Sequence, residues 1–287
     1  MPRTITPVIA SFVAVVLAAV APAGADFVPP RVSPQATVSQ TIGTTQLSIS
    51  YSRPSVRGRA VWGALVPYDQ VWRTGANEAT TFTTTDDVTI NGAPLPAGTY
   101  SLATIPGKVE WTIIFNKDRE LWGMYQYQQA NDALRIRVTP SEAPFVESLE
   151  FSFATIAEDS ATVVMRWEKL AVAFTVQVDV VATTLARARS AVAAAPADDW
   201  RTPYMAASYF LDKQPHTAEA MQWLDRSIKA QETPQNLGAK ARALAAAGNT
   251  AQAIAVAERA IEVAKAANPN ANTANLENLI AQWQGAK

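Results

Sequence analysis

The sequence predicts a mixed α+β chain, with an N-terminal antiparallel β-sandwich or open barrel followed by an all-α, tetratricopeptide-like helical part. Three observations carry that expectation. Apolar and polar residues alternate from about residue 36 to 181, Ala-rich segments with apolar residues three, four and seven apart follow, and two of these segments repeat at a spacing of 33. Period two is the pattern of half-buried strands, and a period near 3.6 is that of helices with one apolar face.

Residues 1–25 carry Arg3, an apolar run from Val8 to Val20 and the small residues Ala23-Gly24-Ala25, the order of a secretory signal peptide. Pro22 interrupts the run, which falls short of the roughly 20 apolar residues a spanning helix needs. Cleavage before Asp26 is therefore expected, leaving a flexible segment over 26–35, a β domain over 36–181 and a helical domain over 182–287. No later stretch is long and apolar enough to span a bilayer. The expected product is exported, periplasmic or extracellular, without stable membrane insertion.

Within the first half, Thr45–Tyr51 and Leu134–Val138 alternate most regularly. Further strands are expected at 80–85, 88–90, 98–104, 110–116, 147–156, 161–168 and 170–179. Turn chemistry separates them: Asn91-Gly92, Pro96-Ala97-Gly98, Pro106-Gly107 and Thr139-Pro140. Asn-Gly supplies the positive φ values a tight hairpin requires. Short antiparallel strands at this spacing point to a sandwich or open barrel.

The helical half begins with 183–195, where Leu185 and Val192 share a face and Pro196 ends the run. Asp198 or Asp199 can cap the next helix, over 200–211. Helices follow at 217–231, 235–247, 251–267 and 273–284. Ala218-Glu219-Ala220…Ile228 aligns with Ala251-Gln252-Ala253…Ile261 at an offset of 33, close to the roughly 34-residue tetratricopeptide period. A solenoid of this kind needs about three repeats, so the array is expected to lean on its neighbours. Its concave face would suit a protein or peptide partner.

Composition narrows the chemistry. The 24 basic and 25 acidic residues become 23 and 25 once Arg3 leaves with the leader, too balanced to argue for nucleic acid. There is no Cys, and the single His, His216, falls at an expected helix start. Thiolate chemistry, disulfides, histidine metal sites and Ser-His-Asp triads in the β domain are thereby excluded. No phosphate loop, dinucleotide fingerprint or calcium loop is present, and no cofactor is expected.

One stretch concentrates chemistry. Between Tyr51 and Glu78 stand four arginines (Arg53, Arg57, Arg59, Arg73) and two tryptophans (Trp62, Trp72), with Asn77 and Glu78 closing the run. Guanidinium forks suit carboxylate or phosphate, and indole faces suit sugar rings or cations. Pro54, Gly58, Gly63 and Gly75 mark the stretch as loop, where scaffolds carry their binding groups. An anionic or carbohydrate ligand would fit these eight residues. The bland alternative is a plug over a sheet edge, with Glu78 or Asp69 pairing Arg73 or Arg59. The other aromatics, Trp111, Trp122, Tyr125, Tyr127 and Trp167, are expected to pack in the core.

The run Ser50-Tyr51-Ser52-Arg53-Pro54, the run Arg57-Gly58-Arg59, the segment Val71-Trp72-Arg73-Thr74-Gly75-Ala76-Asn77-Glu78-Ala79-Thr80, and the later motifs Leu95–Ser101 and Trp111–Asn116 together resemble the DUF 2911 family over about residues 33–180. The resemblance implies an exported bacterial protein with a β-sandwich-like domain, sometimes joined to tetratricopeptide-type helices. It implies no activity and transfers no site residue. Residue chemistry therefore ranks a non-enzymatic binding or assembly protein first. A carboxylate-dependent hydrolase of envelope carbohydrate, using a group such as Glu78, and a purely structural module are the alternatives.

Overall fold

A computed structural model describes residues 29–213 and 216–285. The expected signal peptide and cleavage point lie outside the described residues. Among the described residues, ten strands are followed by six α-helices. The strands are β1 (Gln35–Ile42), β2 (Thr45–Ser52), β3 (Thr81–Thr84), β4 (Val88–Ile90) and β5 (Ala93–Leu95), then β6 (Gly98–Ile105), β7 (Trp111–Asn116), β8 (Asp132–Val138), β9 (Ser141–Ile156) and β10 (Ser160–Gln177). They form two sheets, ordered β1-β2-β3-β6-β7-β8 and β5-β4-β10-β9, that do not close into a barrel. Every pairing is antiparallel.

The alternation read from the sequence sets which face of each strand is buried. Leu47, Ile49 and Tyr51 of β2 are buried while Gln46, Ser48 and Ser50 between them are not, as a period of two demands. Phe82 of β3, Phe115 of β7 and Phe174 of β10 meet edge to face with centroids 5.2 to 6.4 Å apart, so one aromatic cluster joins the two sheets. The Tyr51 hydroxyl accepts the Phe151 N–H at 3.0 Å, a polar tie from β2 to β9. Asn91-Gly92, with φ of 49° and 83°, makes the expected tight turn between β4 and β5.

Two expectations need correcting. The segments 161–168 and 170–179 are one 18-residue strand, β10, because the break at Glu168 is a bulge. Glu168 has φ +57° and the register with β9 slips on both sides of it. A bulge bends a strand without ending it. Strand β9 also starts at Ser141 rather than 147, with Pro144 tolerated because β9 is an edge strand.

The helices are α1 (Val180–Ala194), α2 (Arg201–Phe210), α3 (Thr217–Ala230), α4 (Pro234–Ala246), α5 (Thr250–Ala267) and α6 (Ala274–Gly285). Helix α1 starts before the expected residue 183 because the Asp179 carboxylate caps the Ala182 N–H at 2.9 Å. Asp199 takes the N–H groups of Arg201 and Thr202 at the head of α2, and Thr233 with Asn236 forms a capping box on α4. Buried Ala220, Leu224 and Ser227 of α3 recur in α5 as buried Ala253, Ala257 and Ala260, the spacing seen in the sequence. The sheets meet the helices where Val180 packs against the Gly43 turn and Arg187 bonds Asp86 at 2.7 Å.

Candidate binding site

The loop between β2 and β3 folds over one end of the sandwich. Its first part runs along the outer edge of β9: Val56 N–H donates to Glu147 O at 2.8 Å, and Leu149 N–H donates to Pro54 O at 3.0 Å. The unpaired edge that the strand would otherwise expose is thus covered. Farther on, Trp72 exchanges both backbone hydrogen bonds with Thr104 of β6, at 2.7 and 2.8 Å. One loop therefore ties an edge of one sheet to the middle of the other.

Tryptophans fill the space beneath it. Trp62 contacts Trp72, Trp111 and Trp167 with centroids 5.9, 5.0 and 5.6 Å away. Trp111 and Trp167 are buried as expected. The expectation fails for Trp122 and Tyr125, which stand 63% and 90% exposed, because residues 117–128 leave the sheet after β7 as a loop instead of joining a strand.

Backbone strain is concentrated here. Arg57, Thr74 and Asn77 have φ values of 50°, 53° and 59°. Asn adopts this region with little penalty, but a β-branched Thr is a genuine outlier, and such residues hold of order 1–3 kcal/mol of strain each. Thr74 is held there by its own bonds. Its hydroxyl donates to Thr104 Oγ1 at 3.1 Å, and its carbonyl accepts from the Thr80 hydroxyl at 2.9 Å. Gly75 follows because a Cβ there would meet Thr80 Oγ1 at 2.8 Å.

Between loop and sheet lies a cavity of about 310 Å³. Arg57, Arg59 and Arg73 line it together with Trp72 and Trp167, the hydroxyl residues Ser33 and Ser55, and apolar Val32 and Leu65; no Asp or Glu is among the lining residues. Arg59 is held in place by its own turn, donating from Nε to Val56 O at 3.0 Å and from Nη2 to Ser55 O at 2.6 Å. The Arg73 Nε is buried without a hydrogen-bond partner among the described residues. None of these arginines forms an ion pair with a described carboxylate, although nine arginine and two lysine pairs occur elsewhere among the described residues.

Four of the eight residues singled out in the sequence thus share the cavity: Arg57, Arg59, Trp72 and Arg73. Trp62 supports it from behind. Arg53, Asn77 and Glu78 serve the scaffold instead. Arg53 donates to Leu149 O at 2.9 Å and approaches Glu150 at 3.7 Å. Asn77 donates to Ser33 O and Ser52 Oγ. Glu78 pairs with Arg31 at 2.6 Å, not with Arg73 or Arg59, and this bond with its positive charge lowers the Glu78 pKa. These contacts hold the segment before β1 against the loop, so that Val32 and Ser33 become cavity wall. Trp167 and Ser33 were not singled out because they lie far along the chain from the loop.

Another hollow, about 370 Å³, lies among α2, α3 and α4. Its acidic Asp212 and basic Arg242 balance, and none of the buried unpartnered side-chain groups lies there. Of these two hollows, the arginine cavity is the one that joins arginines without a lining carboxylate to an unmet donor, with the Glu147 carboxylate nearby accepting the Arg57 N–H at 2.9 Å.

The sheets and loop that build this cavity coincide with a family match. Residues 33–176 match the family described as "Protein of unknown function (DUF2911)". The chain belongs to the DUF2911 family. The DUF2911 match takes in both sheets and the three cavity arginines, and it stops within β10, before the helices. No curated protein and no solved structure matches the chain. Family membership therefore gives this DUF2911 protein a common scaffold without assigning chemistry to the cavity.

Proposed function

We propose that this protein is an exported binding protein whose β-sheet portion captures a small anionic ligand in the arginine cavity. One observation carries the reading: Arg73 buries an unpartnered Nε in a cavity lined by three arginines and no carboxylate. A buried unmet donor costs about 1–3 kcal/mol, and nearby guanidinium charges repel one another. A carboxylate or phosphate in the cavity offsets that guanidinium charge, because Arg forks donate bidentately to such groups.

Export is supported by the charged, apolar and small-residue order of residues 1–25. Residues buried at matching positions in α3 and α5 support reading the helices as tetratricopeptide-like repeats that hold a protein or peptide partner. A carboxylate hydrolase is the weaker reading. Glu78 does not line the cavity, and its lowered pKa is the reverse of what a general acid needs.

The test is calorimetric titration of the purified protein with D-glucuronate and with inorganic phosphate, beside an Arg57→Met/Arg73→Met variant. Saturable binding to the parent that falls at least tenfold in the variant is expected, since a tenfold change corresponds to about 1.4 kcal/mol. Equal affinity in both proteins, or no anion binding to either, would sink the reading.

A further inference from the structure

The arginine cavity has an aromatic neighbour that the proposed function does not use. Gly123, at φ +65°, stands between them: a Cβ on it would meet the Tyr125 ring at 2.8 Å and an Arg73 guanidinium nitrogen at 3.3 Å. Tyr125 and Arg73 therefore flank the same point of the backbone, and Arg73 is at once cavity wall and neighbour of the aromatic loop. The Tyr125 ring is 90% exposed and Trp122 is 63% exposed. Large rings held in water at a loop tip are a departure from the burial that their apolar area favours.

The loop that carries them is pinned on both sides. At its start, Asp118 N–H donates to Asn116 Oδ1 at 2.9 Å, and Asn116 Nδ2 reaches across to Asp132 at 2.7 Å and Gln128 O at 3.1 Å. At its end, the Tyr127 hydroxyl donates to Asp132 at 2.7 Å, and Arg135 bonds both groups. In the middle, buried Leu121 accepts the Ala79 N–H at 3.0 Å, next to the bridge between Glu78 and Trp122. The backbone that carries Trp122 and Tyr125 is thus ordered before any ligand arrives, which lowers the entropy lost on binding.

Cavity size and ring position together define what would span them. At about 310 Å³ the cavity is at the low end of the roughly 300–1,000 Å³ of small-molecule sites. It suits one ring with its acidic group; Tyr125 stands beside the Arg73 guanidinium at the Gly123 turn, and Trp122 precedes Gly123 in the same loop. Both residues stand largely in water, and an exposed aromatic ring suits a molecule with an apolar face and hydroxyl-bearing edges. We infer that the ligand is an acidic saccharide of at least two rings, its acid group held by the arginines and its next ring laid on the Trp122 and Tyr125 platform. This inference rests on the anion-binding reading of the cavity.

The experiment compares D-glucuronate with its two- and three-ring uronate oligomers, and with AMP, by calorimetry on the parent protein, a Trp122→Ala/Tyr125→Ala variant and an Arg73→Met variant. The second ring is expected to tighten binding by roughly tenfold in the parent. That gain is expected to collapse to less than about threefold in the aromatic variant, which alters only exposed side chains and leaves the core intact. A gain of the same size in both proteins, or no gain in the parent, would overturn the platform while Arg73-dependent glucuronate binding upheld the cavity. AMP binding more tightly than the two-ring uronate, with the same dependence on Trp122 and Tyr125, would replace the saccharide by a nucleotide. Absence of glucuronate, oligomer and AMP binding would overturn cavity and platform together.

Discussion

Trp72 and Trp167 stack with centroids 5.8 Å apart and planes 21° from parallel, although one stands in the loop before β3 and the other in the middle of β10. Both also line the arginine cavity. The wall of the proposed site is therefore a piece of the sandwich core, and the geometry of the site depends on packing that secures the whole sheet pair.

Truncating the buried member should show that dependence. Trp167→Ala is expected to lose about 3–5 kcal/mol of stability in urea unfolding, the usual range for removing a large buried aromatic. A loss under about 1 kcal/mol would mean that the loop repacks freely and that the stack does not position the cavity.

Arg73 should behave in the opposite way. Its Nε is buried without a partner, so Arg73→Met, which keeps an apolar stem and removes the unmet donor, is expected to leave the unliganded protein as stable as the parent or up to about 2 kcal/mol more stable. Arg53→Met, by contrast, breaks a bond to Leu149 O and the approach to Glu150 and is expected to destabilise. If Arg73→Met lost more than about 1 kcal/mol, the arginine would be part of a structural plug rather than a ligand site.

Acid should loosen the junction between sheets and helices. Burial opposes ionisation of Asp86, but bonds from Thr45, Thr85 and Arg187, together with the Arg187 charge, outweigh it and lower the pKa below 3.8. A carboxylate with a depressed folded-state pKa contributes stability that is fully present above its unfolded value and disappears as pH falls through the folded value. The Asp86 contribution is therefore present at neutral pH and lost below about pH 4. Melting curves from pH 7 to pH 2 should show the parent losing its advantage over Asp86→Asn across that acid range. A constant difference between the two proteins at every pH would show that the Asp86 and Arg187 pair does not titrate with folding.

Local patterns made much of this molecule readable. Alternation at Thr45–Tyr51, the Asn91-Gly92 turn, the Asp199 cap and the 3.6-residue spacing of Leu185 and Val192 each act over a few residues, and each lies where local physics places it. The candidate site was legible in half. Arg57, Arg59, Trp72 and Arg73 stand close in sequence because one loop carries them, whereas the loop alone does not reveal that Arg53 would turn to Leu149 and Glu150 or that Glu78 would meet Arg31.

The sequence by itself determined the class of the two halves, the absence of thiol and β-domain histidine chemistry, and the concentration of cationic and aromatic groups before β3. Tertiary structure decided which arginines remain without an ion pair, that Trp167 backs the cavity, and that Trp122 and Tyr125 stay in water while Tyr125 stands beside Arg73. The reason is physical: periodicity and capping are fixed by near neighbours along the chain, but charge pairing and cavity walls are made by strands and loops that meet only when the two sheets close over their common core.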